Sequence, residues 1–236
     1  MKFPTALARG MLVRRYKRFL ADIELDDGRT VVAHCANPGS MLSVNAPGSE
    51  VWLSPSPDPD RKLKYSWELI RVGRTLVGIN TQHPNRLVEE AIRQKRIPEL
   101  AGYASLRREV RYGSNSRIDL LLEGPRCPSC YVEVKNVTLK RNPAADAPAE
   151  FPDSPTARGQ KHLEELARVA RVGARAVMFF LAQRDDARAF APAADIDPAY
   201  AAGLQRARAA GVEVLEYGCR VDPREIRIAA PLAIRL

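Results

Sequence analysis

Between residues 7 and 81 apolar and polar positions alternate over short runs, ALARGMLVRRY, RFLADIEL, TVVAHCA, EVWLS, KYSWELIRV and TLVGINT. Alternation with a period of two predicts strands, and Asp26-Asp27-Gly28 supplies a turn between the second and third. Six short strands with no helical period predict a small barrel. From His83 the period lengthens. PNRLVEEAIRQKRI puts Leu87, Ala91 and Ile92 at helical spacing, with Asn85 placed as a cap. Three strands follow, LRREVRYG, RIDLLLE and CYVEVKNVTL, and then a proline-rich loop, RNPAADAPAEFPDSP, expected to be mobile. The helix ARGQKHLEELARVARV carries a stripe of Leu163, Leu166 and Val169. AVMFFLA is apolar without alternation, as a strand covered on both faces requires. A helix around AYAAGLQRARAA, the strand VEVLEY and an edge strand in EIRIAAPLAIRL complete the order. The expected fold is α/β in two domains: a barrel over residues 1–82 and a mixed sheet flanked by helices over 83–236.

Charge narrows the partners. Lys+Arg number 37 against Asp+Glu 28, a surplus that favours a polyanion, nucleic acid above all, unless it is only a solvated basic surface. Arg14, Arg15, Lys17 and Arg18 cluster in the first hairpin with Tyr16 and Phe19 among them. Cations interleaved with aromatics suit a surface that tracks phosphates and stacks bases, although both aromatics can equally face a barrel interior. Asn37 in HCANPGSM offers a further donor in a Pro-Gly turn, which barrel closure alone would also require. Arg117, on the RIDLLLE strand, is placed with these phosphate contacts. No stretch approaches the ~20 apolar residues of a membrane span, and the basic N-terminus lacks a continuous apolar core, so a cytoplasmic location is expected. A homo-oligomer is compatible with the sequence and not deducible from it.

The four cysteines are too scattered for a disulfide framework. Cys127-Pro-Ser-Cys130 has the spacing of a redox pair or half a zinc site; neither context is complete, and a turn bearing two small thiols is the expectation.

The chemistry concentrates in CYVEVKNVTL. By strand alternation Tyr131, Glu133, Lys135 and Val137 share one face. An antiparallel neighbour joined by GPRCPS would bring Asp119 to Glu133, with Lys135 one pleat along. Two adjoining carboxylates call for a hard divalent ion, Mg²⁺ or Mn²⁺, and a lysine beside them can orient or deprotonate a water for phosphodiester hydrolysis.

An Asp followed by Glu-x-Lys on the next strand, between two helices, resembles the PD-(D/E)XK nuclease superfamily over residues 83 to about 220. HCANPGSM, NRLVEEAI, SRIDLLLE, CYVEVKNVTL and FPDSPTARGQKHLEEL together resemble the sugar fermentation stimulation protein family over essentially the whole chain. That resemblance implies an OB-like barrel joined to a restriction-endonuclease-like domain, binding to DNA with little sequence preference, and a regulatory link to sugar utilisation. It assigns metal binding to Asp119, Glu133 and the carbonyl of Val134, water activation to Lys135, and a contact with the metal shell to Glu90 or its neighbour Glu89. The alternative is a DNA-binding regulator that uses the nuclease-like domain as a platform.

Arg158, Lys161 and His162 fall in the first turns of the next helix, where backbone N–H groups also favour an anion. Arg158 and His162, four apart, share a face suited to gripping a phosphate; alternatively His162 is a surface histidine without a task. Ser154-Pro155 is expected to delay the start of that helix.

Overall fold

The computed structural model describes residues 1–113 and 116–236. The first unit holds β1 (Ala8–Tyr16), β2 (Leu20–Leu25), β3 (Thr30–His34), β4 (Glu50–Pro55), β5 (Tyr65–Val72) and β6 (Thr75–Gly78). Strands run in the order β3-β2-β1-β4-β5, and β3 returns to pair with β5, closing a five-stranded OB-like barrel with β6 attached to β5. Alternation supplies the interior, where Leu12, Ile23, Val51, Leu53 and Trp67 form one core. Trp67 buries its ring and still donates its indole N–H to the Leu69 carbonyl at 2.9 Å.

The second unit comprises α1 (Pro84–Arg93), β7 (Ser105–Tyr112), β8 (Ser116–Gly124), β9 (Cys127–Val137), β10 (Ala149–Phe151), α2 (Ala157–Arg171), β11 (Arg175–Ala182), β12 (Ala189–Pro192), α3 (Pro198–Ala209), β13 (Glu213–Val221), β14 (Ile226–Pro231) and β15 (Ala233–Ile234). Its main sheet has the order β14-β13-β11-β9-β8-β7, with β11 parallel to both neighbours and the outer pairs antiparallel. The apolar run on β11 divides between two cores. Val177, Phe179 and Leu181 pack with Leu87 and Val88 of α1, while Met178 and Phe180 pack with Leu163, Leu166 and Leu204 of α2 and α3.

Local expectations needed three corrections, and the start of α2 beyond Ser154-Pro155 needed none. Asn85 is not a cap: α1 begins at Pro84 with His83 at its N-cap, and Asn85 lies inside the first turn. Proline at that position explains the start, since its missing N–H would have had no helical partner. The proline-rich stretch is not simply a loop, because β10 lies in it and pairs with β12 in a small sheet completed by β15. Cys127 and Cys130 belong to β9 rather than to a turn. Helix α2 begins at Ala157, after Ser154-Pro155, where the Thr156 hydroxyl accepts from the Gly159 N–H at 3.0 Å.

The junction between the units is built on a buried carboxylate. Glu68, on β5, accepts from the Ser54 hydroxyl at 2.6 Å, the Asn80 amide at 2.9 Å and His83 Nε2 at 2.6 Å. Gln183, just past β11, donates to Asn136 Oδ1 at 2.7 Å and to the Asn80 carbonyl at 3.3 Å, and its own carbonyl accepts from the Gly78 N–H. The end of the barrel is thereby fixed to the head of α1 and to the strand ends of the second sheet.

Candidate metal centre and nucleic-acid cleft

A cleft of about 370 Å³ opens where the barrel meets the second sheet, with Asp119, Glu133 and Lys135 in its lining. Its shape follows from the strands. The β7–β8 ladder omits the Glu109–Asp119 pair, and Glu109 has φ +52°, a backbone state that non-glycine residues seldom adopt. The β8–β9 ladder runs from Gly124↔Cys127 to Leu120↔Val132 and, among the described residues, stops there. At that point the Asp119 carboxylate takes over, Oδ2 accepting from the Val134 N–H at 2.8 Å. Oδ1 accepts from the Asn85 amide at 2.7 Å, so the first turn of α1 fixes the carboxylate from the other side.

Glu133 is only 2% exposed and points toward α2. Its Oε1 accepts from Lys135 Nζ at 2.7 Å and bonds His162 Nδ1, whereas Oε2 has no partner among the described residues. Nδ1 donates to Glu133, which leaves Nε2 to accept from Arg158 Nε, at 3.5 Å the outer limit of a hydrogen bond. Lys135 Nζ lies 3.4 Å from Nδ1, but that nitrogen is already donating.

The two carboxyls are driven in opposite directions. Burial and the charge of Glu133 push Asp119 up to about 6, against the opposing bonds from Val134 and Asn85. Burial would also raise Glu133, but the bond from His162 and the charge of Lys135 outweigh it and hold that carboxyl below its usual range.

The other expected residues divide. Arg158, His162 and Asn37 line the cleft, and so does Thr138, a residue outside that set, just past the end of β9 at Val137. Glu90 does not reach the site: its Oε1 accepts from the Met1 nitrogen at 3.0 Å and from Gln94 at 3.3 Å. It sits more than a helical turn from Asn85, the α1 residue that does touch Asp119, while Glu89 pairs with Arg93 at 2.9 Å. Lys161 is exposed near Glu165 at 3.8 Å, and Arg117 is exposed on β8 opposite Arg111; neither lines the cleft.

In the barrel the expected free cationic surface is only partly free. Arg15 Nη2 donates to the carbonyls of Arg18, Asn37 and Gly39 at 2.7, 2.9 and 2.9 Å. Arg18 donates twice to the Pro38 carbonyl, at 3.1 and 2.8 Å. These two guanidiniums therefore shape the 37–39 loop, which forms one wall of the cleft. Asn37 holds the same loop from within, its amide on the Ile79 carbonyl at 3.1 Å and its Oδ1 accepting from the Gly39 N–H at 3.0 Å. Arg14 pairs with Asp22 at 2.7 Å and stacks on Tyr16, and Lys17 is exposed.

One element of the site lies within HCANPGSM and FPDSPTARGQKHLEEL but had no role assigned from the sequence. Asp153, just before α2, accepts from the Met41 N–H at 2.8 Å, and its carbonyl accepts from the Ser40 hydroxyl at 2.6 Å. This latch joins barrel to helix across the cleft. A Cβ on Gly39 would lie 2.9 Å from the Asp153 carboxylate, which is why glycine stands there.

A closed OB-type barrel, joined to a mixed sheet whose parting strands present Asp119, Glu133 and Lys135, places the chain in the class of OB-barrel proteins with a restriction-endonuclease-like unit. Family models agree on both parts: "SfsA N-terminal OB domain" matches residues 13–79 and "Sugar fermentation stimulation protein RE domain" matches 82–225. The chain belongs to the sugar fermentation stimulation protein family. A homologue from Rhodospirillum rubrum is 63% identical over 230 residues, covering 94% of each chain. One from Rhodospirillum centenum is 59% identical over 234 residues, covering 99% of each. The structure of Pyrococcus furiosus SfsA in complex with Ca²⁺ superposes with a TM-score of 0.90 at 28% identity, covering 100% of this chain and 98% of that one.

Proposed function

We propose that this protein binds DNA through its phosphates with little sequence preference and hydrolyses phosphodiesters with Mg²⁺ or Mn²⁺. Asp119, Glu133 and the Val134 carbonyl would hold the cation, and a regulatory link to sugar utilisation follows the family's description. The observation that carries this reading is Glu133 Oε2, a buried carboxylate oxygen without a partner among the described residues. Leaving such an atom unpaired is costly unless a ligand completes it. Carboxylate and carbonyl oxygens suit a hard cation, and the Ca²⁺ complex of the Pyrococcus furiosus relative is in keeping with that choice.

The cation, when bound, would polarise the phosphoryl group and stabilise the leaving oxygen. The protein's own residues do the rest. His162 and Lys135 together fix Oε1 of Glu133, so Oε2 is the oxygen presented. Asn85 and the Val134 N–H hold Asp119 in one rotamer. Lys135 orients the attacking water or, once its ammonium has given up its own proton, takes one from that water. Arg158 steadies the phosphate from the first turn of α2.

A second reading, a regulator without catalysis, draws on one fact: among the described residues no three His, Cys, Asp or Glu side chains converge as metal ligands. Labelled DNA incubated with Mg²⁺, Mn²⁺ or chelator separates the two. Cleavage only with metal supports hydrolysis, and binding without cleavage under every metal supports the regulator.

Two further results are expected. Because a cation competes with the proton on Asp119, Ca²⁺ affinity should rise as pH increases toward about 6 and level off above it. Asn85→Ala removes a bond that favours the ionised carboxylate and should move that rise to higher pH; calorimetry across pH reads both. A rise that does not move in the variant would remove Asp119 from the cation site. Separately, DNA affinity in chelator should fall linearly on a log–log salt plot. Lys17→Ala should reduce the slope by about 0.9, one phosphate contact, while Arg15→Ala, whose guanidinium faces protein carbonyls, should leave it nearly unchanged.

A further inference from the structure

We propose that the site accepts an unpaired DNA strand and excludes intact duplex, an inference that rests on the hydrolytic reading above. The first support is steric. Glu133 is 2% exposed, on a face that α2 covers, and the cleft around it is walled by the 37–39 loop on one side and the segment leading into α2 on the other. Neither wall is free to swing out. Arg15 and Arg18 hold the loop through its own carbonyls, and the Asp153 bonds to Met41 and Ser40 tie it to the opposite wall. A volume of about 370 Å³ is at the small end of ligand sites and takes a short length of single chain.

The second support is chemical and independent of cleft size. Phe19, in the turn between β1 and β2, is 53% exposed, and its neighbour Arg18 grips Pro38 of the cleft wall. Close by, Tyr16 carries Arg14 at 5.0 Å over its ring. An exposed aromatic beside cations is a platform on which unpaired bases stack, whereas paired bases keep their faces inside the duplex. An unpaired strand could lie with its bases on this platform and its backbone passing the 37–39 loop toward Asp119 and Glu133.

The test uses one sequence in three forms, single-stranded, blunt duplex, and duplex with a splayed unpaired end, each incubated with the full chain and Mn²⁺. The single strand and the splayed arm should be cut faster than the blunt duplex by about ten-fold or more, the worth of one stacked base, with cuts confined to unpaired nucleotides. Phe19→Ala should reduce that ratio, and so should D153A, which removes the Met41 bond of the latch and leaves only the Ser40 bond to the main-chain carbonyl; a melting curve for each variant confirms folding. Equal cutting within blunt duplex overturns the inference and leaves hydrolysis standing. If no form is cut, hydrolysis fails by itself. The affinity that Ca²⁺ adds, and that Glu133→Gln removes, then decides: a larger increment for the single strand sustains the inference, and equal increments overturn it.

Discussion

Lys135→Ala should lower metal-supported DNA cleavage by a factor on the order of 10²–10⁴, the usual range for losing a group that handles the proton of the attacking water. Glu133→Ala should lose at least as much. The two failures should nevertheless look different, because Glu133 acts through both oxygens. Oε1 anchors Lys135 and His162, and on the proposed reading Oε2 would take the cation. Glu133→Ala therefore removes cation affinity and loosens the lysine together, whereas Lys135→Ala should leave Ca²⁺ affinity nearly intact while abolishing turnover. Neither change should unfold the protein, since the Lys135 side chain is 16% exposed and can reach water if its partner is lost. Metal-free DNA binding should be retained in both, because the barrel's exposed cations are elsewhere. Cleavage surviving in both variants would place the chemistry outside this cleft.

The clustering of Asp119, Glu133 and Lys135 was legible through spacing that local geometry preserves. Asp119 and Glu133 line one cleft because one hairpin joins their strands, and Glu133 and Lys135 share a face because strand alternation holds through both positions. Two apolar cores on the two faces of β11 were likewise readable from AVMFFLA. What escaped was set by tertiary placement. Glu90 matches a helix glutamate in type, but the rotation of α1 directs Asn85 to Asp119 and leaves Glu90 beside Met1. Arg15 and Arg18 read as phosphate contacts because composition cannot say whether a guanidinium meets a ligand or the chain's own carbonyls. His162 was one of two alternatives until α2 packed on β9 and brought its ring to Glu133. The Asp153 latch spans more than a hundred residues and leaves no periodic trace.

Glu68 is the residue outside the cleft whose loss should be felt most. It is buried, and Ser54, Asn80 and His83 all turn their polar atoms to it, so Glu68→Ala leaves three of them facing a void. Breaking a buried network from one side costs about 3–5 kcal/mol. For a chain of this size that lowers the melting temperature by roughly 10 °C. The pH dependence separates loss of charge from loss of volume. Burial pushes the Glu68 carboxyl up, but the bonds from His83, Ser54 and Asn80 outweigh it and hold the folded value below the usual range. A carboxyl depressed by folding contributes stability that is complete above its unfolded value, about 4.3, and is lost as pH falls through the folded one. Glu68→Gln keeps the shape and removes the titration, so its melting temperature should fall less steeply than that of wild type below about pH 4.3. Parallel acid limbs in the two proteins would show that the carboxylate's charge has no part in the junction. Loosening this junction also has a consequence at the metal centre. Asn80 and His83 lie at the head of α1, and Asn85 one step inside it holds Asp119, so Glu68→Gln should slow cleavage at temperatures well below its melting point.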